Sequence, residues 1–94
     1  MGFGDIIKSK RRELKISQRE LASKINVDFT YISKIENGVF PPPSEETIKN
    51  ICKLLELDFI DTMLIAKKIP TEFEELIFNN KEISEYLKSR FSHT

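Results

Sequence analysis

The stretch Ser17-Gln18-Arg19-Glu20-Leu21-Ala22-Ser23-Lys24-Ile25-Asn26-Val27-Asp28-Phe29-Thr30-Tyr31-Ile32-Ser33-Lys34-Ile35-Glu36-Asn37-Gly38 contains two helix starts and two helix stops. Ser17 with Glu20 is a capping box: the hydroxyl accepts from the backbone N–H of Glu20, and the Glu20 carboxylate reaches back to that of Ser17. The helix it opens buries Leu21, Ala22 and Ile25. It stops near Asn26, a residue that tolerates the left-handed backbone used to end helices. Asp28 caps the next helix, whose inner face is Ile32 and Ile35 and whose end is Asn37-Gly38. The stretch therefore reads as two short helices joined by a turn of about four residues.

Outward from this pair, apolar residues recur at spacings of three and four, only three glycines occur, and no long run alternates with period two, so the chain is predicted to be all-α. A first helix runs roughly from Phe3 to Leu14 with Phe3, Ile7 and Leu14 on one face. Val39-Phe40-Pro41-Pro42-Pro43 is an extended connector, since proline lacks an N–H and holds its predecessor out of the helical region. Ser44 caps a fourth helix with Glu45 and Glu46 in its first turn and the stripe Ile48, Ile51, Cys52 and Leu55. Asp58 caps a fifth carrying Phe59, Ile60, Met63 and Leu64, which ends before Pro70. A carboxy-terminal pair follows, Thr71 to about Phe78 and about Lys81 to Phe91, broken at Asn79-Asn80.

Ninety-four residues hold one core. The charge-free apolar run Thr62 to Ala66 is far short of the ~20 residues of a membrane-spanning helix, and the amino terminus lacks the basic and apolar regions of a secretory signal. A soluble, cytoplasmic chain without membrane contact is the expectation. One cysteine, Cys52, and one histidine, His93, leave no His/Cys metal cluster and no Cys/His catalytic pair. No Gly-rich phosphate loop is present, and Ser, Lys and Glu show no arrangement tied to a reaction, so neither an enzyme nor a metal or cofactor is expected. The net charge of zero conceals a division. Residues 1–40 carry eight Lys/Arg against five acids, and residues 41–94 carry seven against ten, so the amino-terminal part is the candidate anion-binding face.

A basic helix followed by two short helices matches a helix-turn-helix, whose second member lies in the DNA major groove. The residues Ile16 to Ala22 and Tyr31 to Gly38, in particular, resemble the Xre-type family of phage-repressor and Cro-like transcription regulators, over about Phe3 to Ala66. The resemblance implies a five-helix DNA-binding domain acting as a homodimer on a palindromic operator in double-stranded DNA. It places Gln18 at the DNA backbone or a base, and Asp28, Ser33 and Asn37 near phosphates. Phe29, Thr30 and Lys34 fall at the base-reading positions of the recognition helix, about Asp28 to Glu36. Asn26 stands where the family usually has glycine. Asp28 brings a negative charge near phosphate, which assigns its side chain to capping.

Each of these residues also has a plainer reading. Phe29 lies outside the Ile32/Ile35 stripe, where it either meets a thymine methyl or packs on the preceding helix. Lys34 and Thr30, one turn apart, project together; Lys34 either donates to guanine O6 and N7 or is simply solvated. Tyr31 is a phosphate contact or a half-buried packing residue. Arg11, four residues after Ile7, falls on the core-facing side of the first helix, and Glu36 lies one turn after Ile32, so the two are expected to form a shielded ion pair; the resemblance points to the same pair. The chain is divided into a DNA-binding domain, residues 1–69, and a carboxy-terminal helical extension, residues 70–94. In that extension Phe73, Leu76, Ile77, Ile83, Leu87 and Phe91 either complete their own core or cover a second subunit, with the dimer interface preferred. The favoured function is a sequence-specific transcriptional repressor. The rival is an interaction module, such as an antitoxin-like protein with a partner-binding tail.

Overall fold

The computed structural model describes residues 2–91; Met1 and residues 92–94, the outermost ends of the two expected regions, lie outside them. Seven helices follow one another: α1 Phe3–Glu13, α2 Gln18–Lys24, α3 Phe29–Glu36, α4 Glu45–Leu55, α5 Phe59–Ile65, α6 Thr71–Asn79 and α7 Lys81–Phe91, with no strand among the described residues. None is long and apolar enough to cross a membrane.

Four of the starts are fixed by side chains. Ser17 Oγ accepts from the Glu20 N–H at 3.0 Å, and Asp28 Oδ1 from the Thr30 N–H at 2.9 Å. Ser44 Oγ accepts from the Thr47 N–H at 3.3 Å, and Asp58 Oδ1 from the Asp61 N–H at 2.8 Å. The reciprocal half of a capping box forms on α1, where the Gly2 N–H donates to Asp5 Oδ2 at 3.1 Å.

The ends share one device. Lys15, Asn26, Gly38, Glu56 and Lys67 all have positive φ, between 57° and 74°, and each turns the chain so that the next N–H bonds a carbonyl in the preceding helix. The pairs are Ile16 to Arg11, Val27 to Ala22, Val39 to Lys34, Leu57 to Cys52 and Lys68 to Met63, at 2.9–3.0 Å. This is the Schellman closure of a helix end. Glycine is the residue best suited to it, yet only Gly38 supplies one.

The core consists of Phe3 and Ile7 from α1, Leu21 and Ala22 from α2, Ile32 and Ile35 from α3, Ile48, Ile51, Cys52 and Leu55 from α4, and Met63 from α5. Ile16, Val27 and Leu57, each just beyond a helix stop, pack against it from the rim. Burial raises the Cys52 thiol pKa, an effect partly opposed by its hydrogen bond with Thr62, so the residue behaves as core. At Gly4 an added Cβ would overlap the carbonyl oxygens of Ile35 and Glu36, so α1 and the last turn of α3 touch backbone to backbone.

One expectation changes, and one apolar face proves to be uncovered. Ile25 is only half-buried, because α2 ends at Lys24 and Ile25 is already its cap. On α5, Ile60 and Leu64 face outward; the buried residues are Met63 and Thr62, whose hydroxyl donates to the Asp58 carbonyl at 2.7 Å. α4 covers only one side of this short helix, so the rest of its apolar stripe stays in solvent.

α6 packs on α7, and the molecule is correspondingly long, 51 Å against 22 and 21 Å. Neither helix has a buried residue. Phe73, Ile77, Ile83 and Leu87 are half-buried, whereas Leu76, Phe78, Tyr86 and Phe91 are exposed. The hairpin therefore builds no closed core of its own. Buried Pro70 and the bonds from the Thr71 N–H and hydroxyl to Glu45 Oε1, both 3.0 Å, join it to the head of α4.

Candidate nucleic-acid interface

α2 and α3 pack on each other, with Leu21 and the small Ala22 of one and Ile32 and Ile35 of the other buried in the same cluster. Their relative position is then locked by Glu36. Arg11 Nε donates to Glu36 Oε2 at 2.7 Å, and Arg11 Nη2 to Oε1 at 2.9 Å, a two-pronged pair with almost no solvent access. Arg11 Nη1 donates to the Ile16 carbonyl at 3.0 Å. The hydrogen bonds that Arg11 donates to Glu36 hold its guanidinium above its ordinary pKa against the opposing effect of burial, so its charge is permanent. Gln18, expected at the DNA backbone, donates from Nε2 to Glu36 Oε1 at 2.9 Å and so begins α2 by bonding to the end of α3.

With Ile32 and Ile35 turned inward, Thr30, Lys34 and Asn37 are exposed and Ser33 is half-buried. This outer face of α3 brings together Thr30 and Lys34 as the helical spacing requires. The Thr30 hydroxyl donates to Asp28 Oδ1, which also accepts the Thr30 N–H, and both bonds hold the Asp28 carboxyl below its ordinary pKa. The hydroxyl proton of Thr30 is thereby committed to the cap, leaving its oxygen as an acceptor on an exposed side chain.

For two aromatic residues the structure shows the packing alternative. Phe29 is half-buried against the core, and the Arg19 guanidinium lies 4.3 Å from its ring centroid. Tyr31 is half-buried too, its ring centroid 5.9 Å from that of Phe40 and tilted by 49°. Lys34 places its ammonium 5.0 Å from the Phe40 ring centroid. Arg19 and Phe40 are additions that no spacing rule singles out: one lies ten residues from its partner and the other reaches its partners around a turn. An open groove beside α2 is lined by Arg11, Arg12, Ser17, Gln18, Arg19 and Phe29. Arg12 and Arg19 form no ion pair among the described residues, so the groove is cationic.

The remaining candidates, Phe73, Leu76, Ile77, Ile83, Leu87 and Phe91, lie on α6 and α7, which pack chiefly on each other.

The pattern of the Helix-turn-helix family matches residues 7–61. The ImmF control region 10 kDa protein of Bacillus phage phi105 is 42% identical over 56 residues, which are 60% of this chain and 61% of that protein. The HTH-type transcriptional regulator RghRB of Bacillus subtilis (strain 168) is 32% identical over 74 residues, 79% of this chain and 53% of the relative. The chain thus spans between about half and three fifths of the length of these curated relatives. Among solved structures, the biofilm master regulator SinR in complex with DNA superposes with a TM-score of 0.60 at 30% identity, over 65% of this chain and 97% of that one. The SinR protein/SinI protein complex matches with a TM-score of 0.60 at 25% identity, over 94% of this chain and 93% of that one. By the fold of its first five helices, by the outward face of α3 and by the family match, the chain is a member of the Xre-type helix-turn-helix family of transcriptional regulators.

Proposed function

We propose that the protein is a sequence-specific double-stranded DNA-binding repressor that sits on a palindromic operator as a homodimer, with α3 in the major groove. The observation that carries this reading is the outer face of α3: Thr30 and Lys34, with Asn37 at its cap, are exposed on a helix whose inner face is fixed by core packing and by the Glu36 network. A rigid helix with a free polar face can enter a groove without refolding. The cationic groove at Arg12 and Arg19 lies where flanking phosphates would run. In this reading Thr30 and Lys34 read bases, Phe29 presents its ring edge beneath Arg19, and Gln18, Tyr31, Ser33 and Asn37 contact the backbone. Similarity to SinR, solved in complex with DNA, supports it.

Residues 1–69 are the DNA-binding unit and 70–94 the dimerisation element. The exposed Leu76, Phe78, Tyr86 and Phe91 favour a partner surface over a self-contained core. A second reading, in which the hairpin holds a different protein, is favoured by the near full-length similarity to a chain of the SinR/SinI complex. One experiment separates them: selection of bound sequences from a random duplex pool across a salt series. An enriched inverted repeat with half-sites about one helical turn (~34 Å) apart is expected. No binding to any duplex at low salt would overturn the DNA reading.

A further inference from the structure

We propose that Phe40, in the connector after α3, is a positioning residue that presents the Lys34 ammonium for base recognition, and so determines specificity without touching a base. The inference rests on the reading of α3 as the recognition helix and adds to it a residue outside that helix.

The backbone brings the two side chains together. Gly38, at φ 74°, turns the chain back, and the N–H groups of Val39 and Phe40 both donate to the Lys34 carbonyl, at 2.9 and 3.2 Å. Pro41 keeps Phe40 out of the helical region, so the ring cannot wind onward and away from Lys34. Tyr31, half-buried one turn before Lys34, abuts the same ring. Phe40 is absent from the core and 39% exposed, with Tyr31 and Lys34 beside its ring. A lysine on four methylenes otherwise samples many rotamers, and ordering it on binding carries an entropic cost. The ring face, negative at its centre, holds the ammonium 5.0 Å from its centroid before DNA arrives. Among the described residues Lys34 has no carboxylate partner, so nothing competes for its charge.

The test compares full-length wild type with Phe40→Leu, which keeps bulk and loses the π face, and Phe40→Tyr, which keeps both. In the free protein the Lys34 ε-methylene resonances should be shifted upfield by the ring, the shift vanishing in Phe40→Leu and surviving in Phe40→Tyr. In duplex selection, Phe40→Leu should relax preference at one base pair per half-site by about two- to fivefold with the rest of the motif unchanged. Phe40→Tyr should restore that preference, and in a Lys34→Met background Phe40→Leu should have no effect on it. Unshifted Lys34 resonances in the wild type would overturn the proposal whether or not DNA binds. So would an unaltered motif from Phe40→Leu, while the DNA reading would stand. A loss of affinity spread evenly over all sequences would assign Phe40 a purely structural role.

Discussion

Gln18 and Glu36 meet at 2.9 Å through Nε2 and Oε1, so the first residue of α2 and the last of α3 are bonded side chain to side chain. The same carboxylate holds Arg11 of α1 with both oxygens. One buried anion therefore fixes three helices relative to one another.

Removing Arg11 leaves that anion uncompensated. Arg11→Met should cost ~3–5 kcal/mol in denaturant unfolding, whereas Arg11→Met combined with Glu36→Leu should recover much of the loss, since no buried charge then remains. Gln18→Ala removes one partner of several and should cost ~1 kcal/mol. Unchanged stability in Arg11→Met would contradict the weight placed on this network.

Base and backbone contacts should separate by residue. Lys34→Ala or Thr30→Ala should relax preference at particular base pairs by ~1–3 kcal/mol, while Ser33→Ala or Asn37→Ala should weaken all sequences alike. The measurement is the selected motif of each variant beside its affinity for random duplex. Uniform weakening from Lys34→Ala would move it to the backbone set.

The helix starts and the core were legible in the sequence because a cap acts within three residues and a buried stripe repeats every three or four. Ser17, Asp28, Ser44 and Asp58 all cap where the pattern placed them. The exposure of Ile60 and Leu64 was not legible, because periodicity reveals an apolar face and says nothing of what covers it. The stops at Lys15, Glu56 and Lys67 were invisible, since none of these residue types favours left-handed backbone; their conformation is imposed by the packing of Ile16 and Leu57 and by the closing hydrogen bonds. Arg19 over Phe29 and Lys34 over Phe40 depend on how a turn folds, which spacing does not encode.

Those stops hold stability in reserve. An L-residue in left-handed backbone is disfavoured by ~1–2 kcal/mol, and glycine there loses part of the gain to its freer unfolded chain, so Lys15→Gly or Glu56→Gly should each stabilise by ~0.5–1 kcal/mol. Thermal unfolding checks this. Gly4→Ala should move the other way, because its methyl meets two carbonyl oxygens.

Asp28 links the recognition helix to pH. Its carboxyl is held below its ordinary value by the hydroxyl and N–H of Thr30, so the folded state prefers the ionised cap. The resulting stabilisation is present above the unfolded carboxylate pKa of ~3.9 and fades as pH falls through the lower folded value. The stability difference between wild type and Asp28→Asn should accordingly be flat at neutral pH and shrink below about pH 4. A difference that stays constant into acid would mean the cap works equally well uncharged.

The hairpin should be separable. Truncation after Ile69 removes one buried residue, Pro70, and none from the first five helices, and should leave a folded, mostly monomeric domain that binds one half-site weakly. Sedimentation shows the outcome directly: a truncated chain that remains dimeric would place the interface on the exposed Ile60, Leu64 and Ile65 of α5.

Thr71 gives both its N–H and its hydroxyl to Glu45, twenty-six residues earlier, beside a buried proline. In the proposed dimer this junction sets the angle at which each recognition helix leaves the shared hairpin. The spelling of a half-site and the gap between half-sites are then encoded in different parts of the chain. The first can drift through Thr30 and Lys34, and the second through Glu45 and Thr71, so a regulator of this design can acquire a new spacing while keeping its old word.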